Sequence, residues 1–218
     1  MAWPLVFGFI TCCLLFSNSL VRLYEQNASA QAWADDALLR QLWAILRVLE
    51  NSPGGLISTE LKLVICRFLA NSFRRLHARH GSGAGYLPCI EAADSQVNTL
   101  NQRATGAPLP NFDDEPRIRA AQHALPGVRR VVKQLCAYKA VSAAEAKKFM
   151  QQLDQRSLEL AADKYVLCAR KAEQENDGTT ALRYYQSAQR ALHKASGSET
   201  PQGRLPMLEG CINKLQNK

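Results

Sequence analysis

The sequence predicts an all-α protein built from antiparallel helical hairpins, on three observations. Apolar residues recur every three or four positions from Leu20 almost to the end of the chain, the period of an amphipathic helix. No stretch sustains the alternation of β-branched and polar residues that marks a half-buried strand. Apolar residues make up 47% of the 218, enough to bury one sizeable core or two small ones. The breaks between periodic stretches divide the chain into roughly seven or eight helices.

The first segment, residues 1–21, is hydrophobic, and Ala2 to Val21 carries no charge. Its length matches the roughly 20 residues that cross a bilayer as a helix. It lacks the basic start and the small-x-small cleavage site of a secretory signal. Arg22, the first basic residue, follows the run and favours a cytoplasmic location for the bulk of the chain, anchored to the inner membrane. A buried N-terminal helix, or a start that lies too far upstream, are the alternative readings.

Residues 22–103 read as a helical module. The helix from Leu20 to Glu50 has Trp33, Leu38, Leu39, Leu42, Ile45, Leu46 and Leu49 as its expected apolar stripe. Asn51-Ser-Pro-Gly-Gly55 ends it, because proline removes a donor and glycine accepts positive φ. Ser58 or Thr59 then caps a second helix with Leu61, Val64, Ile65, Phe68, Leu69, Phe73 and Leu76 inward. So short a break predicts an antiparallel hairpin. The glycine-rich run 81–85 follows a helix and lacks Gly-Lys-Ser/Thr, so it reads as a C-cap and linker rather than a phosphate loop. A third helix is expected from Leu87 or Pro88 to Arg103, with Ile90, Ala93, Val97 and Leu100 inward.

Residues 104–116 hold three prolines and no periodicity, and predict a linker. Asp113-Asp-Glu-Pro116 suits a helix start, where acids complement the dipole and an early proline loses no bond. Residues 117–218 then form the C-terminal helical module. Pro126-Gly127 is expected to break its first segment into a short helix and a second one, Val128 to Lys139. Ser142 and Glu145 have capping-box spacing and open the longest helix. Thr200-Pro201 predicts the start of a short last helix with Leu208, Ile212 and Leu215, placed to cover a face of the preceding hairpin.

That hairpin is Leu158 to Ala195. Tyr165, Cys168, Ala169 and Ala172 recur at helical spacing, as do Ala181, Tyr185, Ala188 and Leu192. Asn176-Asp177-Gly178 offers turn residues between them, with Thr179 or Thr180 as the cap. Residues 162–195 resemble one tetratricopeptide-repeat unit, through Tyr165 and Ala169 in the first helix and Ala181, Tyr185 and Ala188 in the second. The chain departs from the pattern at Ala172, Asn176 and His193. The resemblance implies a helix–turn–helix fold, a scaffold role and a protein or peptide partner. A lone unit of this kind cannot bury its own apolar face, so neighbouring helices must complete it.

The net charge is +8, and its positive excess lies beyond residue 50. Two basic clusters are candidate contacts for an anionic partner: Arg74, Arg75 and Arg79, and Arg129, Arg130 and Lys133. They suit nucleic acid as the alternative partner, although the plainer reading is a favourable last turn in one case and a solvated face in the other. The seven cysteines form no Cys-x-x-Cys pair and fit a reducing compartment without disulfides. His77 and His80 are spaced for a metal, but three nearby arginines and the lack of a third ligand argue against one. No catalytic signature stands in the chain, so neither an enzyme nor a bound cofactor or metal is expected.

Overall fold

The computed structural model describes residues 31–81, 85–102, 112–195 and 204–216, and every element among them is helical. The helices are α1 (31–50), α2 (Thr59–His80), α3 (Leu87–Gln102), α4 (Glu115–Ala137), α5 (Ala143–Gln174), α6 (Gly178–Ala195) and α7 (Arg204–Gln216). The uncharged run 2–21, residues 82–84 of the glycine-rich run, most of the proline-rich segment and the expected Thr200-Pro201 cap lie outside the described residues. None of the described helices is long and apolar enough to cross a membrane.

Compact packing divides the chain within α1, into residues 1–44 and residues 45–218. In the first unit, Leu42 and Asp35 are buried, and Arg40 pairs with Asp36 at 2.9 Å. Trp33, expected in the apolar stripe, is instead 72% exposed.

In the second unit the chain leaves α1 where expected. Ser52 Oγ donates to the Val48 carbonyl at 2.5 Å, Gly55 takes a φ of 90°, and Leu56 and Ile57 turn inward. Ser58 caps α2, accepting from the Leu61 amide at 3.3 Å. Gly81, at φ 73°, closes it, its N–H donating a hydrogen bond to the His77 carbonyl. α3 packs on α2 with Ala93 and Leu100 buried, helped by a Phe73–Tyr86 ring contact.

The acids before α4 act as a helix start. Asp114 accepts from the Arg117 amide at 2.6 Å, while Pro116 stands in the first turn. The expected break at Pro126-Gly127 does not occur, and α4 runs through it. A proline inside a helix costs about 3 kcal/mol. Ile118, Ala121 and Leu125 before it continue with Val128, Val131, Val132 and Leu135 after it as one buried face. At about 1.5–3 kcal/mol for each large aliphatic side chain buried, that face outweighs the lost bond.

Gly127 has a packing role. A Cβ there would lie 3.2 Å from Cγ2 of Val48. Valine is stiff at χ1 and has little room to yield. Gly127→Leu is therefore expected to lower the stability of the unit by about 1–3 kcal/mol through overpacking. Chemical denaturation measures this, and Val48→Ala in the same chain should recover part of the loss. A variant as stable as the parent would show that α1 and α4 can separate there without cost.

α4 ends on Lys139 in the left-handed region, at φ 55°, with Ala140 N–H bonded to the Leu135 carbonyl. Ser142 and Glu145 form the expected capping box at the start of α5. The two expected modules meet within the second unit. Lys148 of α5 pairs with Glu60 of α2, Gln152 bonds Ser58, and Phe68 meets Tyr138 with ring centroids 5.5 Å apart. The proline-rich segment therefore connects helices of a shared packing unit.

Candidate functional site

α5 and α6 pack along an extensive shared face, and the sequence explains why. Ala162 and Ala169 face Ala181 and Ala188, all four fully buried, and small side chains let two backbones approach. The turn is carried by Asn176 at φ 61°, a conformation asparagine tolerates better than most residues. Asp177, rather than either threonine, caps α6, accepting from the Thr180 amide at 3.0 Å. Leu208 and Ile212 of α7 join the core formed by Tyr185, Ala188, Ala191 and Leu192. The last helix thus covers one face of the hairpin, as expected.

The two tyrosines of the repeat-like pattern separate. Tyr185 is buried, and its hydroxyl donates to Glu173 at 3.0 Å. Burial and that bond push the phenol's pKa up. Tyr165 is 37% exposed and stacks in an offset manner beside half-buried Tyr184, with ring centroids 6.4 Å apart and planes 25° from parallel. Its expected inward placement fails because Ala162 and Ala169 hold the inner line of α5. At about 100° per residue, Tyr165 lies about 60° off that line.

On the surface around the pair, Arg190 donates to the Ser187 hydroxyl and Asp177 accepts from the Thr180 amide, and Lys164 and Arg183, each next to a tyrosine in the chain, are exposed. Leu158, Ala161 and Cys168 on α5, and Thr180 and Ser187 on α6, are all half-buried and follow the tyrosines at helical spacing. An aromatic pair partly open to solvent offers both apolar area and hydroxyl groups, the combination enriched in protein contacts.

The basic clusters are partly committed within the fold. Arg74 reaches Asp94 of α3 at 2.5 Å, and Arg129 reaches Asp154 of α5 at 2.6 Å. Arg75, Arg79, Arg130 and Lys133 are exposed. Of these, Arg75, Arg130 and Lys133 make no ion pair among the described residues. The clusters stand on α2 and α4, so the six cations divide between two helices. Among the described residues, no three His, Cys, Asp or Glu side chains are placed to hold a metal.

A buried charged cluster was not anticipated. Asp163, 3% exposed, accepts from the Phe112 amide at 3.1 Å and from Arg204 at the start of α7. Two turns earlier, Arg156 donates to Glu159 at 2.6 Å, with its guanidinium 5.0 Å from the centre of the Phe112 ring. The sequence carried a signal for it. Phe149, Leu153, Arg156, Leu160 and Asp163 share the helical spacing of a single stripe, so two charges stand in apolar positions.

Three exposed carboxylates give the unit a pH dependence. A hydrogen bond from Lys171 and the charge of Arg119 hold Glu115 below the usual carboxylate range. The Ser142 amide and hydroxyl do the same for Glu145, and the Thr180 side chain and amide for Asp177. Each group binds its proton less tightly folded than unfolded. Their stabilisation is therefore fully present above the ordinary carboxylate pKa, about 4, and lost as pH falls through the lowered values. Thermal melts should show a flat Tm from neutrality down to that range and a decline below it. A decline of equal depth in a chain carrying Glu115→Gln, Glu145→Gln and Asp177→Asn would contradict the assignment.

Comparison with family models, with curated proteins and with solved structures finds no match for this chain. The hairpin, its outward aromatic pair and the distribution of charge are the grounds for a functional reading.

Proposed function

We propose that this chain is a non-enzymatic helical scaffold or adaptor that binds a protein or peptide partner on the outer face of the α5–α6 hairpin. The observation that carries the reading is the Tyr165–Tyr184 stack, held at the surface of a hairpin whose other apolar face α7 already covers. A buried aromatic would serve the fold alone; the part of this pair left in water costs solvation that a partner recovers. The resemblance of residues 162–195 to a tetratricopeptide-repeat unit points the same way. Residues 2–21 tether the scaffold to the inner membrane in this reading, with the bulk of the chain in the cytoplasm. The uncharged run followed by Arg22, and the cysteine pattern, support that placement.

The test is affinity capture with the immobilised full chain, beside a chain carrying Tyr165→Ala and Tyr184→Ala. Tyr165 lies at the surface, while Tyr184 also packs against the hairpin core, so circular dichroism and a thermal melt first establish that the double variant is folded. The parent should retain a defined protein that the double variant loses. Equal retention by both chains would remove the hairpin face as the binding element. Retention that is sensitive to nuclease and to Arg130→Glu with Lys133→Glu would replace the scaffold reading with nucleic-acid association.

A further inference from the structure

We propose that the outer face of α1 in the first unit rests on the surface of a lipid bilayer. Trp33 is 72% and Trp43 42% exposed, unusual for the largest apolar side chains in a helix. At about 100° per residue the two indoles stand about 80° apart, on either side of Arg40. Asp36 is exposed between them beside Arg40, and Ala37 and Ala44, also exposed, extend the face by about 20–40° beyond Trp33. An indole has an apolar body and one N–H donor, and it concentrates where a membrane meets water.

Two further features favour lipid over other occupants. Arg40 is paired with Asp36 at 2.9 Å, so the face presents no unbalanced charge for an oppositely charged protein to match. The uncharged run 2–21 is also close in the chain, with only residues 22–30 between it and α1. Nine residues span at most about 30 Å when fully extended. With residues 2–21 in a bilayer, α1 begins within that distance of the surface. The inference rests on that part of the proposed function.

The experiment uses the full chain with Trp3→Phe, so that all emission comes from Trp33 and Trp43. It is reconstituted in phosphatidylcholine vesicles with and without lipid carrying a nitroxide high in the acyl chain. The nitroxide should lower the emission several-fold, equally at low and high salt, while the chain floats with the vesicles. Flotation with undiminished emission would leave the tether standing and overturn the placement of α1. Failure to float would overturn both. Quenching that disappears as protein is added at fixed lipid would place a second copy on the face, against the proposal.

Discussion

Asp163→Ala is expected to destabilise residues 45–218 by about 3–5 kcal/mol, the range for removing one partner of a buried ion pair. The Asp163 carboxylate satisfies two donors from separate parts of the chain, the Phe112 amide before α4 and the Arg204 guanidinium at the start of α7. The Arg204 side chain is only 14% exposed, so truncating its partner strands a largely desolvated cation. Asp163→Asn keeps an acceptor for Phe112 and should cost less. Replacing both charges, with Asp163→Leu and Arg204→Met, should recover most of the loss, since an apolar pair of similar size removes the desolvation penalty. Urea denaturation of the four chains checks the order. An alanine variant within 1 kcal/mol of the parent, on the order of a surface pair, would show that the carboxylate does not join these segments.

Tyr185→Ala is the second large effect, at about 3–5 kcal/mol for an aromatic removed from a packed core. The ring is 3% exposed and stands among Ala188, Leu192, Leu208 and Ile212, so its loss opens a cavity between the hairpin and α7. Tyr185→Phe keeps the ring and loses only the bond to Glu173, for about 0.5–1.5 kcal/mol. The pH dependence separates the two contributions. A phenol whose folded pKa is raised gives stability that is complete below its ordinary value, about 10, and fades as pH rises through the higher one. Phenylalanine should flatten that alkaline decline, and alanine should remove it while lowering stability throughout. An unchanged alkaline limb in Tyr185→Phe would assign the decline to other groups.

Much of the helical order was legible because caps and periodicity act locally. Ser58, Asp114 and Ser142 announce α2, α4 and α5 through side chains that bond amides within the next turn. The features that escaped depend on partners distant in sequence. Pro126 lies inside a helix because residues on both sides of it belong to the same buried face. Tyr165 faces out because the contact between α5 and α6 is made by alanines. The stripe Phe149, Leu153, Arg156, Leu160 and Asp163 was readable as helix, but not as a charged junction, since Phe112 and Arg204 arrive from either side of it. Of the candidate site, the basic residues were visible as sequence clusters. Their division between two helices, and the commitment of Arg74 and Arg129 to Asp94 and Asp154, was not.

Hydrogen exchange of the full chain, with and without the protein that it captures, tests the scaffold reading most directly. Added protection should centre on residues 158–168 of α5 and 180–187 of α6, on the two sides of the tyrosine pair. Protection confined to α2 or α4, with that part of the hairpin exchanging as in the free chain, would contradict it.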